Sequence, residues 1–527
     1  FPRSLRGARF AGAMANPRYD VCIIGGGPGA LTALSAVLEP YSLDQLSDGQ
    51  AARAATALRG SRPRPPRVCV VDPEPWLSTW KSRFKALEIE WLRSPATAHP
   101  DAFDAFSLRG FAHSHGREAE LYDSGAGRGK GVRSLIEVSS GAWSLPTNAL
   151  FQDFCDELAR RLPHEFFQAR ATDVGGSDGD FVVELDTGAQ LEASAVIMAL
   201  GVPGPPLMPA TLAGLPERLA FHTDWNGGAG LAALAPGERV LVIGGGLSAV
   251  QTAQLAHRRG CRVVLASRRP LTTRHFDIDV NWFDRRRTQG HLFGFLDLPA
   301  EQRLRMIRET RGGGSVPEMY MEDLRARGAS GGLAVVVGEV EVLSCDGAAV
   351  QARVGESVRT FDKVVSACGH RPDCTALPIL AALHRRWATP LQGGLPVLSH
   401  DAQWGGLQRL FVIGALAALQ IGPDAGNLMG LRRAAQVVAS ALDSRGWLRN
   451  ERSLLGNVRG NRFAALGDDS DGASDSDVES DGDASCEGGA GGKRSAASES
   501  TAESGADSDG DASSAGGVRS KRSAASE

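Results

Sequence analysis

The chain has 527 residues, 42% of them hydrophobic and 22% charged, with a formal net charge of −4. Those values fit a globular protein of two or three domains, and no apolar run reaches the roughly 18–20 residues of a membrane-spanning helix. Charge is uneven: Asp468 to the end carries 15 acidic and 5 basic residues, which leaves +6 on the rest, a balance that does not indicate a nucleic-acid partner.

The first 17 residues hold Arg3, Arg6 and Arg9 and no acid. They read as leader sequence ahead of a start at Met14, or as the remnant of a chloroplast-type transit peptide. Eight scattered cysteines without a CxxC motif point to unpaired thiols in a reducing compartment, so the expected location is cytoplasmic, with an organelle as the alternative.

Tyr19–Ile24 predicts a buried strand, followed by Gly25–Ala30, "GGGPGA", and a helix from Leu31. In this GxGxxA pattern Gly25 permits the tight turn and Gly27 lets a pyrophosphate approach the backbone. Gly29 keeps the turn slim, and Ala30 lets helix and strand pack closely. The helix N-terminus then offers free N–H groups to phosphate. The next strand, "RVCVVD", ends in Asp72, an acid suited to two ribose hydroxyls. Gly25 and Asp72 are 47 residues apart because a Pro- and Arg-rich insert, 41–67, intervenes.

The pattern recurs at Gly244–Ala249, "GGGLSA", with Gly244, Gly246 and Ser248 facing the nucleotide. Its second strand ends in Arg268 and Arg269, with Arg268 24 residues after Gly244 and no acid between strand end and loop. Arginine there attracts a 2′-phosphate, so this second site reads as one for NADPH. Two dinucleotide turns in one chain suggest one nucleotide held and one visiting. Continuous apolar runs such as "RVLVIGG" and "DKVVSACG" suit parallel strands covered on both faces, which gives an α/β class with doubly wound sheets.

At this point the body, from about Arg18 to Leu448, resembles the flavoproteins with two dinucleotide-binding domains. The strand-then-Gly segments Ala193–Pro209 and Phe361–Asp373, the latter holding Gly369, look like that family's domain crossings. Leu410–Ala435 looks like its closing flavin segment, with Gly414 after the strand and Asn427 before the last helix. The family often has Asp after Gly414; here it is Ala415, and Asp424 is no obvious substitute. The resemblance implies FAD in the first site and NADPH in the second. It implies a FAD-binding domain at 18–205 and 361–448 and an NADPH-binding domain at 206–360; beyond them, composition alone reads 449–527 as a disordered acidic tail. That tail repeats "SDGDAS…KRSAASE" at a period of 28 and is a candidate contact for a protein partner.

Trp76–Phe106, with Trp80 beside the cofactor and the run "LRSPATAHPD", resembles the flavin-containing monooxygenases and the ornithine/lysine N-hydroxylases. "FHTDW" (Phe221–Trp225) resembles part of their fingerprint, although Arg218 stands where a Gly is usual. The branch implies that reduced FAD meets O2, forms a C4a-hydroperoxyflavin and delivers one oxygen to a small amine-type substrate. Candidate active-site residues are Arg93, Ser94, His99 and Asn281, with Arg274, Asp277 and Asp279 nearby in sequence. The close-set His99, Asp101, His113 and His115 lack metal-site spacing, so no metal is expected. Two other readings use the same loops: an NADPH reductase serving a quinone or protein acceptor, and a non-enzymatic flavoprotein of the oxidative-stress-induced growth-inhibitor kind.

Overall fold

The computed structural model describes residues 16–38, 65–122, 144–201, 204–279, 282 and 285–444. Residues 1–15, most of the 41–67 insert and all of the 449–527 tail lie outside these, so the leader and tail readings fall on undescribed segments.

In chain order the elements that place the site begin with β1 (Arg18–Ile24), α1 (Pro28–Leu38) and β2 (Val68–Asp72). Then come α2 (Ser78–Ala86), α3 (Asn148–Arg161), β3 (Glu165–Gln168), β4 (Ala171–Ser177), β5 (Asp180–Leu185) and β6 (Gln190–Met198). The second half holds β7 (Ala220–His222), β8 (Arg239–Ile243), α4 (Leu247–Arg258), β9 (Arg262–Ser267), α5 (Ala300–Arg311) and β10 (Leu333–Val337). A meander of β11 (Val340–Cys345), β12 (Val350–Val354) and β13 (Ser357–Phe361) precedes β14 (Lys363–Ser366), β15 (Leu410–Val412) and α6 (Leu428–Ser444).

The first sheet has seven strands in the order β3-β2-β1-β6-β5-β4, with β15 also on β6. β6 forks: its C-terminal half pairs in parallel with β15 (Val196 with Leu410), and its N-terminal half pairs antiparallel with β5 (Ala193 with Phe181). The second sheet, β10-β9-β8-β14-β7, is parallel throughout. Both faces of that sheet are buried. Val240, Val242, Val263 and Leu265 pack on the α4 side, while Leu241, Val264 and Val364 pack against Val350, Ala352 and Phe361 of the meander. A small β-sheet therefore covers the face where a second helix layer is usual. This double burial explains the unbroken apolar runs.

The structure moves one boundary. β14 pairs with β8 and β7, so the chain stays in the second sheet through Ser366 and returns to the first only after it, not at 361. The two crossings hold each other: Pro206 and His370 form an antiparallel bridge, and Leu207 N donates to Gly369 O at 2.8 Å. Gly204 is required there, because a Cβ would lie 1.8 Å from Arg371 O.

Candidate active site

Both glycine turns sit where strand order reverses, the place where open α/β sheets bind nucleotides. In the first turn Gly25 has φ +124°, and a Cβ on it would stand 2.4 Å from Ala199 O on the neighbouring strand's exit. Gly26 N donates to Asp72 Oδ2 at 2.6 Å, which ties the acid to the loop. Burial is the main influence on the Asp72 carboxyl and moves it upward. A Cβ on Gly27 would meet nothing within 4 Å, so open space lies above that residue. The N–H groups of Gly27, Gly29 and Ala30 have no acceptor among the described residues. An open approach to Gly27, free donors and a nearby carboxylate fit the pyrophosphate and ribose of FAD.

The second turn repeats the geometry at its first two glycines with different chemistry, but over the third, Gly246, a Cβ would meet Gly314 Cα at 3.9 Å where Gly27 faces open space. A Cβ on Gly244 would lie 2.6 Å from Ala367 O, the counterpart of the contact at Gly25. Gly245 abuts Ser267 Oγ just as Gly26 abuts Asp72. Ser267 thus occupies the acid's position with a neutral hydroxyl, which donates to Arg269 O at 2.7 Å. Arg268, Arg269 and Ser248 are exposed beside the turn, and the N–H groups of Gly245 through Ser248 have no acceptor among the described residues. These residues fit a nicotinamide nucleotide carrying a 2′-phosphate.

A cavity of about 110 Å3 is lined by Arg93, Ser94, Pro95, Ala98, Phe276, Asp277, Asn427 and Met429. It draws on three distant segments, and buried polar contacts fix each. Arg93 Nε donates to His275 O at 2.5 Å and Arg93 Nη2 to Ser315 Oγ at 2.5 Å. Asn427 Nδ2 donates to Asp277 Oδ1 at 3.1 Å, and Arg311 Nη2 to Asp277 Oδ2 at 2.8 Å. Arg274 holds the Asp277 carbonyl at 2.8 Å. Burial pushes the Arg93 guanidinium down to about 10, still a cation at neutral pH, and pushes His275 down to about 4, so it is neutral there. Three guanidiniums around one carboxylate leave the cavity wall positive.

Of the expected site residues, the cavity gathers Arg93, Ser94 and Asn427. His99 is placed elsewhere: it is fully buried behind Ala98, with Nε2 on Ala105 O at 3.2 Å and its ring edge-on to Phe154. Burial holds it at about 3, too low for proton transfer near neutral pH. Asn281 lies outside the described residues. Trp80 stacks on Phe84 at 4.4 Å and on Phe151, and its N–H goes to Asn148 Oδ1, so the indole serves packing. Gly369 lies in the crossing, and Gly414 caps β15 with φ +86°. A Cβ on Gly426 would stand 3.3 Å from the Ala415 methyl, while the Asp424 carboxylate turns inward to Arg433, so Asp424 does not replace the missing acid. Arg311 and Ser315 were not singled out in the sequence; the run "RGGGS" that contains them was the available signal. One cluster with metal-like spacing occurs among the described residues, His222, Asp224 and His370, with Asp224 engaged by Arg83 at 3.0 Å.

A family model described as pyridine nucleotide-disulphide oxidoreductase matches residues 127–288, and one described as FAD-NAD(P)-binding matches residues 22–203. No curated protein matches the chain. Among solved structures, the fold is similar to a FAD-bound cadaverine monooxygenase from Erwinia amylovora, at TM-score 0.59 and 16% identity, covering 83% of this chain and 97% of that one. An ornithine hydroxylase from Pseudomonas aeruginosa gives TM-score 0.58 and 15% identity over 80% and 98%. An L-lysine 6-monooxygenase from Pseudomonas syringae gives 0.57 and 17% over 81% and 99%.

Proposed function

From a chain that is a flavoprotein with two dinucleotide-binding domains, an oxidoreductase with FAD and NADPH as its cofactors, we propose a monooxygenase that places one atom of O2 on a small amine-type substrate. The observation that carries this reading is the cavity of about 110 Å3 walled by Arg93, Ser94, Asp277 and Asn427. No cysteine lines it, and Cys368, next to the second turn, hydrogen-bonds to Ile243 O and is unpaired. A dithiol relay through the cavity therefore has no residues to run on. Bound FAD, reduced by NADPH, supplies the oxygen chemistry.

The chain's own residues do the rest. The α1 turn holds the FAD pyrophosphate on the N–H groups of Gly27, Gly29 and Ala30, and Asp72 takes the adenosine ribose. Gly246, Ser248, Arg268 and Arg269 bind NADPH. Asn427, fixed by Asp277, starts α6, whose N-terminus favours the reduced, anionic flavin. Arg93 and Arg311 add positive charge there, which favours the neutral amine form of a substrate, while both Asp277 carboxylate oxygens are taken by Asn427 and Arg311. Phe276, Pro95 and Met429 limit water entry, which protects a reactive oxygen donor.

Rapid mixing of the NADPH-reduced protein with oxygenated buffer tests this. A transient absorbance distinct from both oxidised and reduced flavin, discharged faster by a productive amine with hydroxylated product, is expected. Immediate return to oxidised flavin with one peroxide per NADPH, with and without a panel of amines, would favour the reductase reading. Absence of bound flavin and of NADPH turnover would favour the non-enzymatic one.

A further inference from the structure

The segment Gly312–Ser315 lies against the second glycine turn. Gly314 is in backbone contact with it: a Cβ would stand 2.5 Å from Gly245 O and 3.2 Å from Gly246 Cα. Gly313 lies under the Arg269 guanidinium, where a Cβ would meet Nη1 at 3.6 Å. Ser315 accepts from Arg93 of the cavity wall at 2.5 Å, and Arg311, just ahead, donates to Asp277 and to Pro423 O. The segment is anchored at its far end by Val316, whose N–H donates to Thr272 O at 2.9 Å.

Its donors are unused. The N–H groups of Gly313, Gly314 and Ser315 have no acceptor among the described residues, although Ser315 is 2% exposed. They adjoin the equally unpartnered N–H groups of Gly245 through Ser248, with Arg268 and Arg269 alongside. Of these residues only Ser315 is buried, where an N–H without an acceptor is costly; the others are exposed or half-buried and open to a ligand, and the two adjoining sets of donors beside two guanidiniums make an anion site with backbone donors from two segments. The succession of positive φ values, +53°, +72° and +110° at Gly312, Gly313 and Gly314, explains why three glycines are needed to bring that backbone so close.

We propose that Gly312–Ser315 is the second wall of the NADPH site, a strap that clasps the nucleotide phosphates against the Gly244–Ala249 turn together with Arg269. Ser315 then links nucleotide occupancy to Arg93 in the cavity wall. The strap rests only on nicotinamide-nucleotide binding, so it stands or falls separately from the monooxygenase reading.

The test uses the full-length FAD-bound protein and NADP+ as probe. Gly313→Asn and Gly313→Asp both accept a left-handed backbone and differ by one charge. NADP+ dissociation constants from calorimetry should be about tenfold or more weaker for Gly313→Asp than for Gly313→Asn, at equal flavin content and melting temperature. In the wild-type protein, NADP+ should slow amide exchange at 312–316 as well as at 244–249. Equal affinities in the two variants overturn the proposal. Unchanged or faster exchange at the strap on NADP+ binding also overturns it, and would make the segment a plug that the nucleotide displaces.

Discussion

At the residue scale Gly25 and Gly27 of the α1 turn do different jobs, and substitution separates them. Gly25 is confined by protein: φ is +124° and a Cβ would strike Ala199 O. Gly25→Ala should therefore destabilise the chain by about 3 kcal/mol, flavin or no flavin. Gly27 is confined by nothing in the protein, since a Cβ would find open space. Gly27→Ala should keep the melting temperature of the flavin-free protein but purify colourless or lose FAD on dilution. Melting curves and flavin content of both variants check this, and equal behaviour of the two would remove the phosphate from above Gly27.

A second prediction at this scale concerns pH. His99 is held neutral in the fold, its value lowered from 6.5 to about 3 by burial and then by the Arg432 cation. Its unfolded form takes up a proton below 6.5, so its contribution to stability is intact above that pH. The contribution declines as pH falls from 6.5 towards 3. The melting temperature should drop across pH 6.5 to 4, and the drop should be shallower in His99→Gln. Identical slopes would place the acid sensitivity in other groups, His275 first among them.

At the scale of elements, the closing helix α6 depends on a buried pair. Asp424 is fully buried, and Arg433, one helical face further on, binds both its carboxylate and the Ile421 carbonyl. Asp424→Ala leaves the half-buried guanidinium without its carboxylate, with only the Ile421 carbonyl remaining, and should cost about 2 kcal/mol in denaturant unfolding. The main-chain bond from Asn427 N to Asp424 O survives the substitution, but loss of the side-chain anchor one turn from Asn427 should shift that residue and weaken flavin affinity as well. If stability and flavin binding are both unchanged, the pair does not seat the helix. Element identity in this region followed from sequence: a strand, a Gly and an amphipathic helix are local patterns. The seating of that helix against α1, through Leu431 over Gly29, is not local and had no sequence signal.

At the scale of the whole molecule, the described residues from β1 to α6 contain both glycine turns and the cavity. The repeat tail is rich in Ser, Asp, Gly and Ala with little to bury. A chain ending at Leu448 should thus retain flavin content, NADPH turnover and melting temperature within error. Lost flavin on truncation would show that the tail contacts the body.

The α/β class, the two GxGxxA turns, Asp72, and the arginines after the second strand were determined by sequence alone, because a dinucleotide turn is made by residues adjacent in the chain. The tertiary structure decided what comes from distance. It set the cavity from Arg93, Asp277 and Asn427, and put Ser267 in the position that Asp72 holds in the first turn. It moved His99 into the core, gave Trp80 to packing, and held the second sheet together through Ser366. Those outcomes depend on which segments pack face to face once both sheets have formed, and burial and hydrogen-bond partners across such contacts leave no periodic mark in either segment.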